Sequence, residues 1–214
     1  MPRKPKFTKE EVIMSAFEVT EKTGLNSVTA ASVASNMGYT GSSLFTHFNN
    51  MVEIRFEAYL KAKEYAMNFV SDCKNYRPVF KAFGLLWVEF AREKPNLFRA
   101  IYAGNPYNTA ESNIFEENKE TFEPMYYEIM QSFDVSREAA IEIFTECIYH
   151  ANGIADFMIT NPNAISQEQI SRSLSRICLG SVMLHKAKEG TLTPELAKAY
   201  ANAVDAIPVR ISAE

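Results

Sequence analysis

The chain has 214 residues, 47% of them hydrophobic, with a formal net charge of −4; this is the composition of an ordinary soluble protein able to bury a full core in one or two domains. No apolar run approaches the length of a membrane span, and the basic residues after Met1 are not followed by an apolar stretch, so neither a membrane segment nor a signal peptide is expected. Cys73, Cys147 and Cys178 are too few and too irregularly spaced for a disulfide framework and read as reduced packing residues of a cytoplasmic protein.

Residues 1–63 hold eight Lys or Arg against six Asp or Glu, leaving fourteen against twenty in the remainder. A mildly basic head thus precedes an acidic body, a balance compatible with nucleic-acid contact through the head alone. Arg3, Lys4 and Lys6 stand in an arm that Pro2 and Pro5 keep extended, with charges free to reach a phosphate backbone. Thr8 and Glu11 form a capping box that opens a helix with Val12, Ala16 and Val19 inward, ending at Gly24. Thr29 caps a short helix whose Ala30, Val33, Ala34 and Met37 share a face, and Gly38 stops it. Thr40 can cap a second short helix. There Leu44, Phe45 and Phe48 fall on or near the inner side, while Gly41, Ser42, Ser43, Thr46 and His47 remain outside. Two short helices around a tight turn are a helix-turn-helix, whose second helix can present its residues to the major groove of DNA.

As a set, Gly24-Leu25, Val28-Thr29, Val33-Ala34, Gly38, Thr40-Gly41-Ser42-Ser43, Leu44-Phe45-Thr46-His47-Phe48 and Glu53-Ile54 resemble the pattern of the TetR-type bacterial transcriptional repressors. The resemblance covers about the first quarter of the chain. It implies DNA contacts from Thr29, Thr40, Gly41, Ser42, Ser43, Phe45, Thr46 and His47, a homodimer matched to a palindromic operator, and release by a small effector. The pattern departs where members carry Lys or Arg at the positions of Gly41 and Thr46, Tyr at that of Phe45 and often Lys at that of Met51. From Met37 to Val52 there is no Lys or Arg. The alternative is therefore a small-molecule or partner-binding protein of the same fold whose head has lost DNA binding.

Asn50 opens a long helix, to about Cys73, that joins head to body. From Tyr76 onward every strong segment has helical period, so the fold expected is all-α with about nine helices: a three-helix helix-turn-helix domain at residues 1–50, and a helical ligand-binding and dimerisation domain at residues 51–214. Helices are predicted over 78–93, 96–103, 111–133 with Pro124 bending or dividing it, 136–160, 166–189, and from Thr193-Pro194 to a point before Pro208. Gly153 and Met158, with the stripe Ile170, Leu174, Ile177, Ser181 and Leu184, could form a four-helix dimer interface or face the monomer's own core; the resemblance favours the dimer. Trp87, Phe90, Phe98, Tyr102, Tyr126 and Met130 could line a cavity for a small hydrophobic effector. Tyr149, His150 and Asn152 are polar groups embedded in an apolar helix that need partners, either a ligand or other side chains. Cys147 and His150 lie one turn apart but are too few to hold a metal, and no phosphate loop, Gly-x-Ser-x-Gly elbow or His-Glu-x-x-His pair is present. Neither a cofactor nor an enzyme is expected.

Overall fold

The computed structural model describes residues 7–39, 41–102, 119–204 and 210–211. Its described residues form nine α-helices: α1 (Lys9–Thr23), α2 (Ala30–Asn36), α3 (Met51–Val70), α4 (Val79–Glu93), α5 (Pro95–Tyr102), α6 (Lys119–Phe133), α7 (Arg137–Thr160), α8 (Gln167–Lys188) and α9 (Pro194–Ala203). The all-α expectation holds. Two two-residue strands, β1 (Tyr76–Arg77) and β2 (Arg210–Ile211), pair antiparallel and are the only strands among the described residues. No helix among them is long and apolar enough to cross a membrane.

Local chemistry sets the helix starts. Thr8 and Glu11 close the expected capping box, with the Glu11 N–H donating to Thr8 Oγ1 at 3.2 Å and the Thr8 N–H to Glu11 Oε2 at 2.7 Å. Thr29, Ser136, Ser166 and Thr193 cap α2, α7, α8 and α9. At α3 the reciprocal bonds divide between neighbours, for Asn50 Oδ1 accepts the Glu53 N–H while Glu53 Oε2 accepts the N–H of Asn49. Pro124 lies inside α6, which runs unbroken from Lys119; residues 111–118 of the predicted helix, and residues 205–209, lie outside the described residues. The long helix after Asn50 ends at Val70, and a 3-10 turn, Ser71–Asn75, takes its place.

The chain divides into two compact units, and the division does not fall at residue 50. Among the described residues the first unit comprises 7–68 and 93–102, the second 69–92, 119–204 and 210–211.

In the first unit Phe7, Val12, Ile13, Ala16, Val19, Val28, Val33, Ala34, Leu44, Phe48, Ile54 and Ala58 make one buried cluster. Polar bonds fix α1 against α2: buried Ser15 donates to the Val33 carbonyl at 3.0 Å, and Asn36 Nδ2 donates to Ser15 Oγ and Glu18 Oε2. α5 packs on α1 and on the 3-10 turn Leu25–Ser27. Lys94 Nζ meets Glu21 Oε1 at 2.6 Å, and Asn96 Nδ2 donates to the Glu21 carbonyl at 3.0 Å.

In the second unit α7 packs against α6 and α8, and α9 against α8. Ring contacts run from Trp87 through Phe83 and Phe144 to Tyr126, with centroids 6.0, 5.8 and 5.5 Å apart, and Phe122 meets both Phe83 and Phe144. These rings are the core of the unit.

Candidate functional site

The head contains the tight turn expected of it. α2 ends at Asn36, Gly38 takes φ +74, and the chain re-enters a helical segment at Gly41. That segment, Gly41–Thr46, is a 3-10 helix rather than the expected α-helix. Gly loses more freedom than any other residue when helical, and serine hydroxyls compete for backbone groups, so a Gly-Ser-Ser start is a poor nucleus for α propagation. Leu44 and Phe48 are buried as expected, whereas Phe45 is 47% exposed and Thr46 faces outward. Phe45 is thus on the outer side and not packed inward. Thr29 is exposed, with its hydroxyl engaged as the α2 cap. Arg3, Lys4, Lys6 and Thr40 lie outside the described residues.

His47 differs from the expectation of a free outward group. It is half-buried, and its Nε2 lies 2.8 Å from the carbonyl oxygen of Phe7. A carbonyl can only accept, so Nε2 carries the proton and is not available to a phosphate. Cations of the first unit have partners within the chain: Lys9 pairs with Glu57 at 3.0 Å and lies over the Phe48 ring, Lys22 donates to Asn36 Oδ1, and Arg55 Nε donates to the Val28 carbonyl at 2.9 Å.

The polar cluster on α7 finds its partners within the protein. Trp87 Nε1–H donates to Asn152 Oδ1 at 2.6 Å, and His150 Nε2 lies 2.8 Å from Ser173 Oγ on α8. Burial pushes the His150 imidazole below its usual range, favouring the neutral ring. Tyr149 is 63% exposed. Trp87, Phe90 and Tyr126 are buried core rings of the second unit and Met130 is half-buried there, whereas Phe98 and Tyr102 stack on each other in the first unit, so the expected ligand set is divided between the two units. Ser173 instead borders a groove of about 320 Å³ lined by Ile154, Ile165, Gln169, Arg172 and Arg176.

Of the expected interface residues, Met158, Ile170, Leu174 and Ser181 are buried within the chain itself, Ile177 is half-buried, and Gly153 and Leu184 are exposed. For the four buried ones the core reading is the correct one. The exposed side of α7 and α8 carries Tyr149, Gly153, Phe157, Gly180 and Leu184. The Ser181 hydroxyl is buried with no hydrogen-bond partner among the described residues.

The sequence reading missed Lys81. It is only 2% exposed, in a stretch of α4 that is buried all round from Val79 to Gly84. Its one available signal is position: a single cation in the otherwise apolar run from Val79 to Val88. Glu128, whose Oε2 accepts the Phe80 N–H at 3.2 Å, and the buried thiols of Cys147 and Cys178 belong to the same unit. Burial pushes the Lys81 ammonium down and the Glu128 carboxyl up. The Cys178 thiol is held well above its usual range by its hydrogen bond with Cys147 and by burial, and burial raises Cys73 to about 11. Such thiols are packing groups rather than nucleophiles. Among the described residues no three His, Cys, Asp or Glu side chains are placed to hold a metal.

Because unfolded Lys81 keeps its proton to a higher pH than folded Lys81, stability should rise with pH between its lowered value and 10.5. Lys81→Met removes the titrating group, so the variant should lose this rise of stability with pH, and urea titrations of parent and variant at pH 7 and pH 10 should find the difference between them shifting in favour of the parent at the higher pH.

Compared with models of protein families, with curated proteins and with solved structures, the chain matches none. Its geometry must carry the functional reading.

Proposed function

We propose that the protein is a ligand-responsive, DNA-binding transcriptional regulator, a repressor that binds a palindromic operator as a homodimer. The observation that carries this reading is the head: a buried three-helix cluster holding a short capped helix, a turn at positive φ and a second short helical segment with an exposed outer side. Pairing of two copies through the exposed α7 and α8 side is supported by its large apolar groups, Tyr149, Phe157 and Leu184, set beside glycines that allow close approach. The effector is a small, largely hydrophobic molecule. Its site is read as the groove at Ser173, which borders the His150 hydrogen bond and is lined by Ile154 and Ile165 together with Gln169, Arg172 and Arg176. An effector that binds better to the body conformation with wrongly spaced heads lowers operator affinity by that difference, typically about 1–3 kcal/mol.

A second reading is a partner-binding or small-molecule-binding protein of the same fold whose head is silent towards DNA. It is favoured by the internal engagement of Lys9, Lys22 and Arg55 and by the absence of Lys and Arg from Met37 to Val52. Selection of bound sequences from random duplex DNA at low and moderate salt separates the two. An enriched palindrome supports the regulator; retention of no sequence at either salt rejects it in favour of the silent head.

A further inference from the structure

The groove beside Ser173 lies wholly within the second unit and is chemically one-sided. Gln169, Arg172, Ser173 and Arg176 stand on α8 at the spacing of one helix face, and Ile154 of α7 and Ile165 of the connection before α8 complete its lining. What α8 presents there is a set of donors. The Gln169 carboxamide oxygen accepts the Ser166 N–H at 2.8 Å in the helix cap, which fixes the sense of the amide and leaves its NH2 group without a bond among the described residues. Ser173 Oγ lies 2.8 Å from His150 Nε2, and when the imidazole donates across that distance the hydroxyl keeps its own proton for the groove. Arg172 pairs with Glu168 at 3.1 Å, whereas Arg176 is exposed and has no hydrogen-bond or ion-pair partner among the described residues. No acidic side chain lines the groove. In a stretch, residues 64–214, that holds fourteen Lys or Arg against twenty Asp or Glu, donors gathered without acceptors run against the local balance.

We infer that the groove binds a carboxylate carried on a hydrocarbon or aryl body, its acid group held by Arg176 and the Ser173 hydroxyl and its body lying along Ile154 and Ile165. Arg176 and Ser173 are one helical turn apart, so one acid group can accept from both, and a carboxylate is the acceptor that matches a guanidinium fork. An amine would be repelled there, and an alcohol would leave the guanidinium uncompensated. This rests on the effector reading of the groove and deepens it by naming the class of molecule. Binding of the acid itself requires no DNA.

Methyl NMR of the full chain labelled at isoleucine tests this at pH 7. Hexanoate, octanoate and 3-phenylpropanoate are titrated in turn, each beside the alcohol of the same carbon skeleton. Every acid should shift the Ile154 and Ile165 signals and leave those of the fully buried Ile129 and Ile143 in place. Each should also bind about tenfold more tightly than its alcohol, the lower end for a hydrogen bond to a charged group, because the groove is open to water. Arg176→Gln should bring the acids down to the level of the alcohols. Arg176→Lys, which keeps the charge and loses the fork, should retain part of the preference.

Acids and alcohols that shift Ile154 and Ile165 with equal affinity would overturn the carboxylate site and leave the groove standing as an effector site for neutral molecules. No shift at either isoleucine with any of the six compounds would overturn both. An acid preference that survives Arg176→Gln overturns the assignment of the acid group to that guanidinium. If sedimentation shows that Arg176→Gln also loses dimer mass while its acid preference is unchanged, the guanidinium belongs to contact with a second copy of the chain. Acid preference in a protein that selects no DNA would reject the regulator reading and support the carboxylate site.

Discussion

A Leu184→Glu variant should sediment as a folded monomer at micromolar concentration where the parent sediments as a dimer. Leu184 is 54% exposed in the single chain, so the new carboxylate costs the monomer little. In a packed pair of α7 and α8 faces it would be buried without a partner, a penalty of about 3–5 kcal/mol. That weakens dimerisation by roughly two to four orders of magnitude. Under the proposed regulator reading, operator affinity should fall with it, because two half-sites are then read by separate molecules. Analytical ultracentrifugation decides the matter: an unchanged mass for the folded variant removes this face from consideration. Met158→Glu makes a poor probe of the same question, since Met158 lies in the chain's own core and the variant would misfold whether or not a dimer exists.

The largest effect on stability should come from Phe144→Ala, which removes a fully buried ring in contact with Phe83, Phe122 and Tyr126. Truncating a core phenylalanine costs about 3–5 kcal/mol, a large part of the total for a domain of this size. Phe144→Leu should recover much of the loss by refilling the volume. Urea unfolding followed by the fluorescence of Trp87, whose ring is stacked on Phe83 in the same unit, reports the change directly. A loss below about 1 kcal/mol would mean that the rings repack around the gap or are less tightly held than their contacts indicate.

What was legible in the sequence was local. Thr8 with Glu11, Thr29, Ser136, Ser166 and Thr193-Pro194 each place a hydroxyl beside orphan N–H groups of their own helix, so the starts of α1, α2, α7, α8 and α9 need no knowledge of the rest of the chain. The faces of α8 were harder. Its buried side includes Ser175, whose hydroxyl donates to the Ser171 carbonyl, and Lys186, whose Nζ donates to the Asp134 carbonyl. These polar groups disguise the inner face, and the apolar stripe from Ile170 to Leu184 therefore reads as rotated, straddling the boundary between buried and exposed sides. Partners distant in sequence were not legible at all: Trp87 for Asn152, Ser173 for His150, Phe7 for His47. A polar residue in an apolar helix announces that it needs a partner, and only the fold says which one.

The docking of α5 on α1 has a consequence for how the protein is made. The first unit needs Lys94, Asn96 and the buried side of α5 to finish the surface around Glu21, yet α4, which belongs to the second unit, lies between α3 and α5 in the chain. A nascent chain leaving the ribosome thus carries α1, α2 and α3 long before their last partner is synthesised, and it must emit a helix of the other unit first. Native closure of the head waits on α5, which ends at Tyr102, well past Asn50 or Asn68. A head fragment truncated at either of those residues would leave the α5-docking side of α1 open to water, and that surface would be its weak point for aggregation and proteolysis.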